Sequence, residues 1–138
     1  MQALHRVVAS EALRRLALLA LCAAYLQGSW NKLGDFNGAI AEMQHFGLAP
    51  AAPLAALVIA LELGAALMIV SGFGRWLAAL ALAAFTLAAS LVANRYWTLT
   101  VGHERFMMAN AFYEHLGLVG GFLLVAWMDL QPSKEDKP

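Results

Sequence analysis

Long apolar stretches separated by short polar breaks dominate the chain. The first runs from about Leu13 to Leu33, with an apolar middle from Leu16 to Leu26. The second covers Pro53 to Ser71, the third Trp76 to Ala93 without a single charge, and the fourth Asn110 to Met128. A helix needs about 20 mostly apolar residues to cross a bilayer, so each stretch is expected to span. The pattern predicts an all-α protein, a four-transmembrane-helix bundle over residues 1–130 with both termini on one side. Pro53 falls where the first turn of a helix tolerates proline. Between the first two stretches Ile40, Met43 and Phe46 recur at helical spacing, followed by Gly47 as a C-cap. This spacing predicts a short interfacial helix in the first outer loop. Ser71 to Arg75 is long enough only for a tight hairpin, and residues 131–138 read as a polar, disordered tail.

Composition agrees with a membrane setting. The 138 residues are 62% hydrophobic and 13% charged, whereas a soluble domain carries about 25% charged residues. A protein this small is mostly surface, so the apolar excess needs lipid around it. The formal net charge is zero, which removes a nucleic-acid-binding reading. Cys22 is the only cysteine. Intramolecular disulfides and C-x-x-C redox chemistry are thereby excluded, and electron transfer requires a bound cofactor or a partner.

Basic residues set the expected orientation. Arg6, Arg14, Arg15, Arg75, Lys134 and Lys137 fall on one side, and Lys32, Arg95 and Arg105 on the other. This bias places both termini in the cytoplasm of a bacterial inner-membrane protein. The first stretch is expected to be retained as a span. Gln27-Gly28-Ser29-Trp30 offers no small-residue cleavage site, and Leu21 is too large to precede a lipidated Cys22.

Small residues suggest how the spans pack. Ala52, Ala56, Ala60 and Gly64 recur every four residues in the second span, and Gly117 and Gly121 do so in the fourth. In lipid, close backbone approach carries much of helix association. Glu62 is the polar residue most out of place. It lies two residues from both Ala60 and Gly64, about 200° around a helix. If Glu62 faces the bundle interior, the small-residue stripe faces outward. A carboxyl at that depth either carries a proton or needs a cation beside it. Asn110 and Glu114 share a face with Gly117 and Gly121, which makes it a candidate tight-packing face, and His115 is one step round. Lys32 either snorkels to the outer headgroups, the plainer alternative, or turns inward to pair with Glu62 or Glu114. Lys32, Asn94, Asn110, Glu114 and His115 all lie toward one leaflet, with Glu62 deeper. They are the ligand-binding or proton-handling candidates of a polar pocket inside the bundle. His103-Glu104, expected in an outer loop, and Glu114-His115 match no standard metal-ligand spacing. Neither a G-x-G-x-x-G nor a Walker loop occurs.

These residues carry a resemblance to the DoxX family. The first span ends in Gly28-Ser29-Trp30-Asn31-Lys32, similar to that family's small-residue, aromatic and lysine run. Glu62-Leu63-Gly64, followed by Gly72-Phe73-Gly74-Arg75, resembles its mid-membrane glutamate and glycine-bounded turn. Leu116-Gly117-Leu118-Val119-Gly120-Gly121-Phe122-Leu123-Leu124 resembles its fourth span. Ala65 and Asn94 stand where many members have glycine and histidine. The resemblance implies a small membrane subunit or partner of a redox system acting on quinones or thiols. The expectation that follows is a redox-associated membrane protein binding a quinone or similar amphipathic molecule, with a redox partner protein or homo-oligomer as its protein contacts. The alternatives are a non-enzymatic partner or assembly factor and a small transporter.

Overall fold

The computed structural model describes residues 1–131, and the tail expected at 131–138 lies, apart from Gln131, outside the described residues. Six α-helices and one 3-10 turn make up the described chain. They are α1 (Gln2–Val8), α2 (Glu11–Gly34), α3 (Phe36–His45), α4 (Ala51–Ser71), α5 (Arg75–Ala93), a 3-10 turn at Tyr96–Thr98, and α6 (His103–Asp129). Two of the starts have a side-chain cap. The Ser10 hydroxyl accepts from the Leu13 amide at the head of α2, and the Asp35 carboxylate accepts from the Gly38 amide at the head of α3. Gly72 and Gly74 have φ of 93° and 57° and form the tight hairpin between α4 and α5.

The four long helices run alternately up and down. Three are long and apolar enough to cross a membrane: α4, α5 with its following 3-10 turn, and α6. The fourth, α2, is 24 residues long, about 36 Å at 1.5 Å per residue, but its charge-free run is only Leu16–Asn31. Glu11, Arg14 and Arg15 flank that run on one side and Lys32 on the other, which lowers its hydropathy.

One end of the bundle is tightly packed. Leu18, Cys22 and Tyr25 of α2 meet Ala65, Ala66 and Ile69 of α4, Ala79, Leu82 and Ala83 of α5, and Val119, Phe122 and Val125 of α6. The Tyr25 and Phe122 rings meet edge to face, with centroids 5.3 Å apart, a favoured aromatic geometry. At the hairpin end Asp129 accepts from the Trp76 amide at 3.1 Å and lies 3.4 Å from an Arg75 Nη. The last turn of α6 thus caps the first turn of α5.

One packing expectation needs revision. Gly117 is exposed with no neighbour in reach of an added methyl, and only Gly121 approaches α2, at Leu21. Asn110 and Glu114 are exposed as well. The buried face of α6 runs instead through Val119, Phe122, Val125 and Ala126. A small-residue repeat shows where a helix can approach, and α5 took the other face. On α4, Glu62 is buried while Ala52, Ala56 and Ala60 are exposed, and Gly64 has open space beside it. That stripe therefore looks outward. His103 and Glu104 belong to the first turn of α6 rather than a loop, which makes this helix seven residues longer at its start than the apolar pattern alone marks.

Candidate functional site

Above the packed core the helices diverge around a cavity of about 800 Å³. Its wall comes from the C-terminal halves of α2 and α5 and from α4 and α6 nearer their N-termini. The helix α3 lies across it. Ala39 and Met43 of α3 pack on Ala55 of α4, while Glu42, Met43 and Phe46 line the cavity, followed by Leu48. The short helix foreseen in this loop is present, and one side of it rests on the bundle.

The deepest charged group is Glu62, buried at 7% exposure in the middle of α4. Lys32 Nζ donates to both of its carboxylate oxygens, at 3.1 and 3.0 Å. Backbone direction explains how a lysine three residues from the end of α2 reaches so deep. Side chains on a helix lean toward its N-terminus. On α2 that lean points into the bundle, and on the antiparallel α4 it points back out. The two side chains therefore converge. The Lys32 side chain keeps 19% exposure and that of Glu62 9%, so the snorkelling alternative for Lys32 does not hold. Burial alone would make an unpaired glutamate here expensive, and the lysine offsets that cost.

Polar groups continue around the wall. The Tyr25 and Thr86 hydroxyls hydrogen-bond each other across α2 and α5. The Ser29 hydroxyl, fully buried, donates to the Tyr25 carbonyl one turn below. His115 Nδ1 lies 2.6 Å from the Ala111 carbonyl oxygen. A bare nitrogen would repel that oxygen, so Nδ1 carries a proton and donates to it, which leaves Nε2 as the ring nitrogen available to a ligand. The Asn94 amide nitrogen lies 3.3 Å from the Ser90 hydroxyl and 3.5 Å from His115 Nδ1, the latter too long to be a strong bond. Gly28 keeps the space beside Glu62 open: a methyl added there would come within 3.8 Å of Glu62 Oε2.

Of the six residues singled out in the sequence, Lys32, Glu62, Asn94, Glu114 and His115 line this one cavity. Asn110 does not; it is exposed two turns into α6, one turn before Glu114. The sequence reading missed Tyr25, Thr86 and the α3 residues Glu42, Met43 and Phe46. Tyr25 had a usable signal, since it precedes Lys32 by seven residues and so shares its helix face. Thr86, Ser90 and Asn94 also recur every four residues, marking a polar line along α5. The helical spacing of Met43 and Phe46 marks a short helix but not the cavity wall it forms, because the path of the loop decides where that helix lies. Among the described residues no group of three His, Cys, Asp or Glu side chains converges as a metal site.

Comparison with known proteins is consistent with this architecture. The sequence model of the DoxX family matches residues 14–95, which include Lys32, Glu62 and Asn94. The chain is also 30% identical over 112 residues to inner membrane protein YphA of Escherichia coli (strain K12), covering 80% of this chain and 79% of that relative. No solved structure matches. A family match across more than half of the chain, and a relative aligned over most of both lengths, establish that this multi-pass membrane protein belongs to the DoxX family.

Proposed function

We propose that the cavity binds a quinone or another amphipathic molecule of similar size, and that the chain serves a redox-associated process in the bacterial inner membrane. The observation that carries this reading is the Lys32–Glu62 ion pair set into the wall of a mainly apolar, 800 Å³ cavity. Small-molecule sites fall at about 300–1,000 Å³, with apolar walls and a few placed polar groups. In this reading α2 is the fourth span, both termini are cytoplasmic, and the cavity opens toward the periplasmic side. The description of the Escherichia coli relative supports the inner membrane as the location.

The residues present suit a headgroup with carbonyl or hydroxyl oxygens. Lys32 has three N–H bonds and uses two on Glu62, which leaves one for an acceptor. His115 Nε2 can accept from a hydroxyl, and after protonation it can donate to a carbonyl. Glu62, Glu114 and His115 can exchange protons with a ligand as its charge changes. Electrons come from a redox partner, because Cys22 alone cannot cycle as a dithiol.

The test is equilibrium binding of a decyl-substituted benzoquinone to protein in lipid nanodiscs, with empty nanodiscs subtracted. Saturable binding that weakens at least tenfold in Glu62→Gln and in Gly28→Leu supports the reading. Binding unchanged in both well-folded variants refutes it. The outward stripe of exposed Ala52, Ala56 and Ala60 with half-buried Gly64 favours a second reading, a non-enzymatic membrane partner or homo-oligomer in which another helix covers α4. A crosslinked dimer of this chain through a cysteine at Ala56, coupled with no quinone binding, would prefer it.

A further inference from the structure

We propose that the cavity selects its occupant by charge, admitting uncharged headgroups and turning away anions, with Glu42 and Glu114 as the specificity-determining residues. The proposal rests on the amphiphile-binding reading above and adds the class of headgroup.

The charged residues on the cavity wall are Lys32, Glu42, Glu62 and Glu114. One lysine against three glutamates leaves more carboxylates than cations on the wall. Their placement matters more than their number. Both Lys32 contacts go to the two Glu62 oxygens, so the one cation in the wall is already neutralised. Glu42 on α3 and Glu114 on α6 are both exposed, and among the described residues neither is in an ion pair. They come from two separate elements, so carboxylates border the cavity from both α3 and α6. An anion meets two uncompensated carboxylates and finds no free cation beyond them. A neutral headgroup meets no such barrier and can use the remaining Lys32 N–H, the Tyr25 and Thr86 hydroxyls and the imidazole of His115.

The size of the effect follows from Coulomb's law. At separations on the order of 8 Å and an effective dielectric of about 30, each carboxylate lowers an anion's affinity roughly tenfold. Salt near 0.15 M screens over about 8 Å and narrows the gap.

The experiment uses three probes with the same ten-carbon tail in zwitterionic nanodiscs: decyl benzoquinone, decyl sulfate and decyltrimethylammonium. They are titrated against the native protein, Glu42→Gln/Glu114→Gln, and the cavity-filling Gly28→Leu and Ala89→Phe. The expected result is saturable binding of the quinone, at least tenfold weaker binding of the sulfate, and closure of most of that gap in the double variant through tighter sulfate binding. Equal binding of quinone and sulfate overturns charge selection and leaves the amphiphile site standing. So does a gap that persists in the double variant, and so does a quaternary ammonium probe held as weakly as the sulfate, since carboxylates do not repel a cation. Absence of saturable binding by all three probes, or binding untouched by both cavity-filling variants, overturns the amphiphile site and this proposal together.

Discussion

Removing either half of the Lys32–Glu62 pair should cost far more than removing both. The pair has one nitrogen 3.0 and 3.1 Å from two oxygens, and its side chains keep 19% and 9% of their exposure. Deleting one member of a buried pair typically costs about 3–5 kcal/mol, because the other charge is left without compensation. Here the pair lines a cavity rather than a closed core, so the cost falls at the bottom of that range or just below it. Lys32→Met and Glu62→Leu should each lose about 2–3 kcal/mol. The double variant should lose about 1 kcal/mol or less, since both desolvation penalties vanish with the charges. The coupling energy of the cycle is then about 3–5 kcal/mol, well above the few tenths expected of independent sites. Unfolding in mixed micelles of mild detergent and SDS, followed by tryptophan fluorescence, measures all four proteins. Single-variant losses below about 0.5 kcal/mol, or a double variant equal to the sum of the singles, would show that the helices do not converge through this contact.

Three further outcomes test other parts of the structure. Asp129→Ala removes the acceptor for the Trp76 amide and the partner of Arg75; it should cost about 1 kcal/mol by the same unfolding assay, in line with loss of a helix cap. Gly72→Ala forces a methyl into a position with φ 93° and to within 2.9 Å of an Arg75 Nη, with an expected loss of about 1–2 kcal/mol, whereas Gly64→Ala, which has open space, should lose nothing. Glu11 precedes the apolar run of α2, and hydrogen bonds from Arg14 and then Arg15 hold its carboxyl down at about 2, from 4.5. A lowered value stabilises the folded helix start above pH 4.5, an advantage lost as pH falls from there through about 2. Carbon-detected NMR should find the midpoint near 2 in the native protein and near 4.5 in Arg14→Gln/Arg15→Gln; a native midpoint near 4.5 would contradict the contact.

The legible and illegible parts of this molecule divide along physical lines. Three spans announced themselves because about twenty apolar residues in a row have few other uses, and the observed helices extend the expected Pro53–Ser71, Trp76–Ala93 and Asn110–Met128 by a turn or two at most. The cavity's polar wall was partly legible because a glutamate in mid-span is costly unless answered. Which group answers it was not, since one lysine can snorkel or turn inward with equal chain reach. The antiparallel run of α2 and α4 decides that, and neighbour identity is not a local property. The glycines of α6 misled for the same reason: Gly117 and Gly121 record permission for close approach, and only Gly121 received a partner. The place of α3 across the cavity depends on a loop path that no periodicity encodes.

The account's central claim is that the cavity holds an amphiphile in the cell. The most direct measurement is quantitative mass spectrometry of the organic extract from protein purified in mild detergent, alongside its Gly28→Leu and Ala89→Phe variants. The account predicts quinone or a comparable neutral amphiphile near one equivalent in the native protein, falling severalfold in both cavity-filling variants. Extracts indistinguishable among the three proteins, and no richer than that of an unrelated four-helix membrane protein, would contradict it and leave Lys32 and Glu62 as residues that lock helices together.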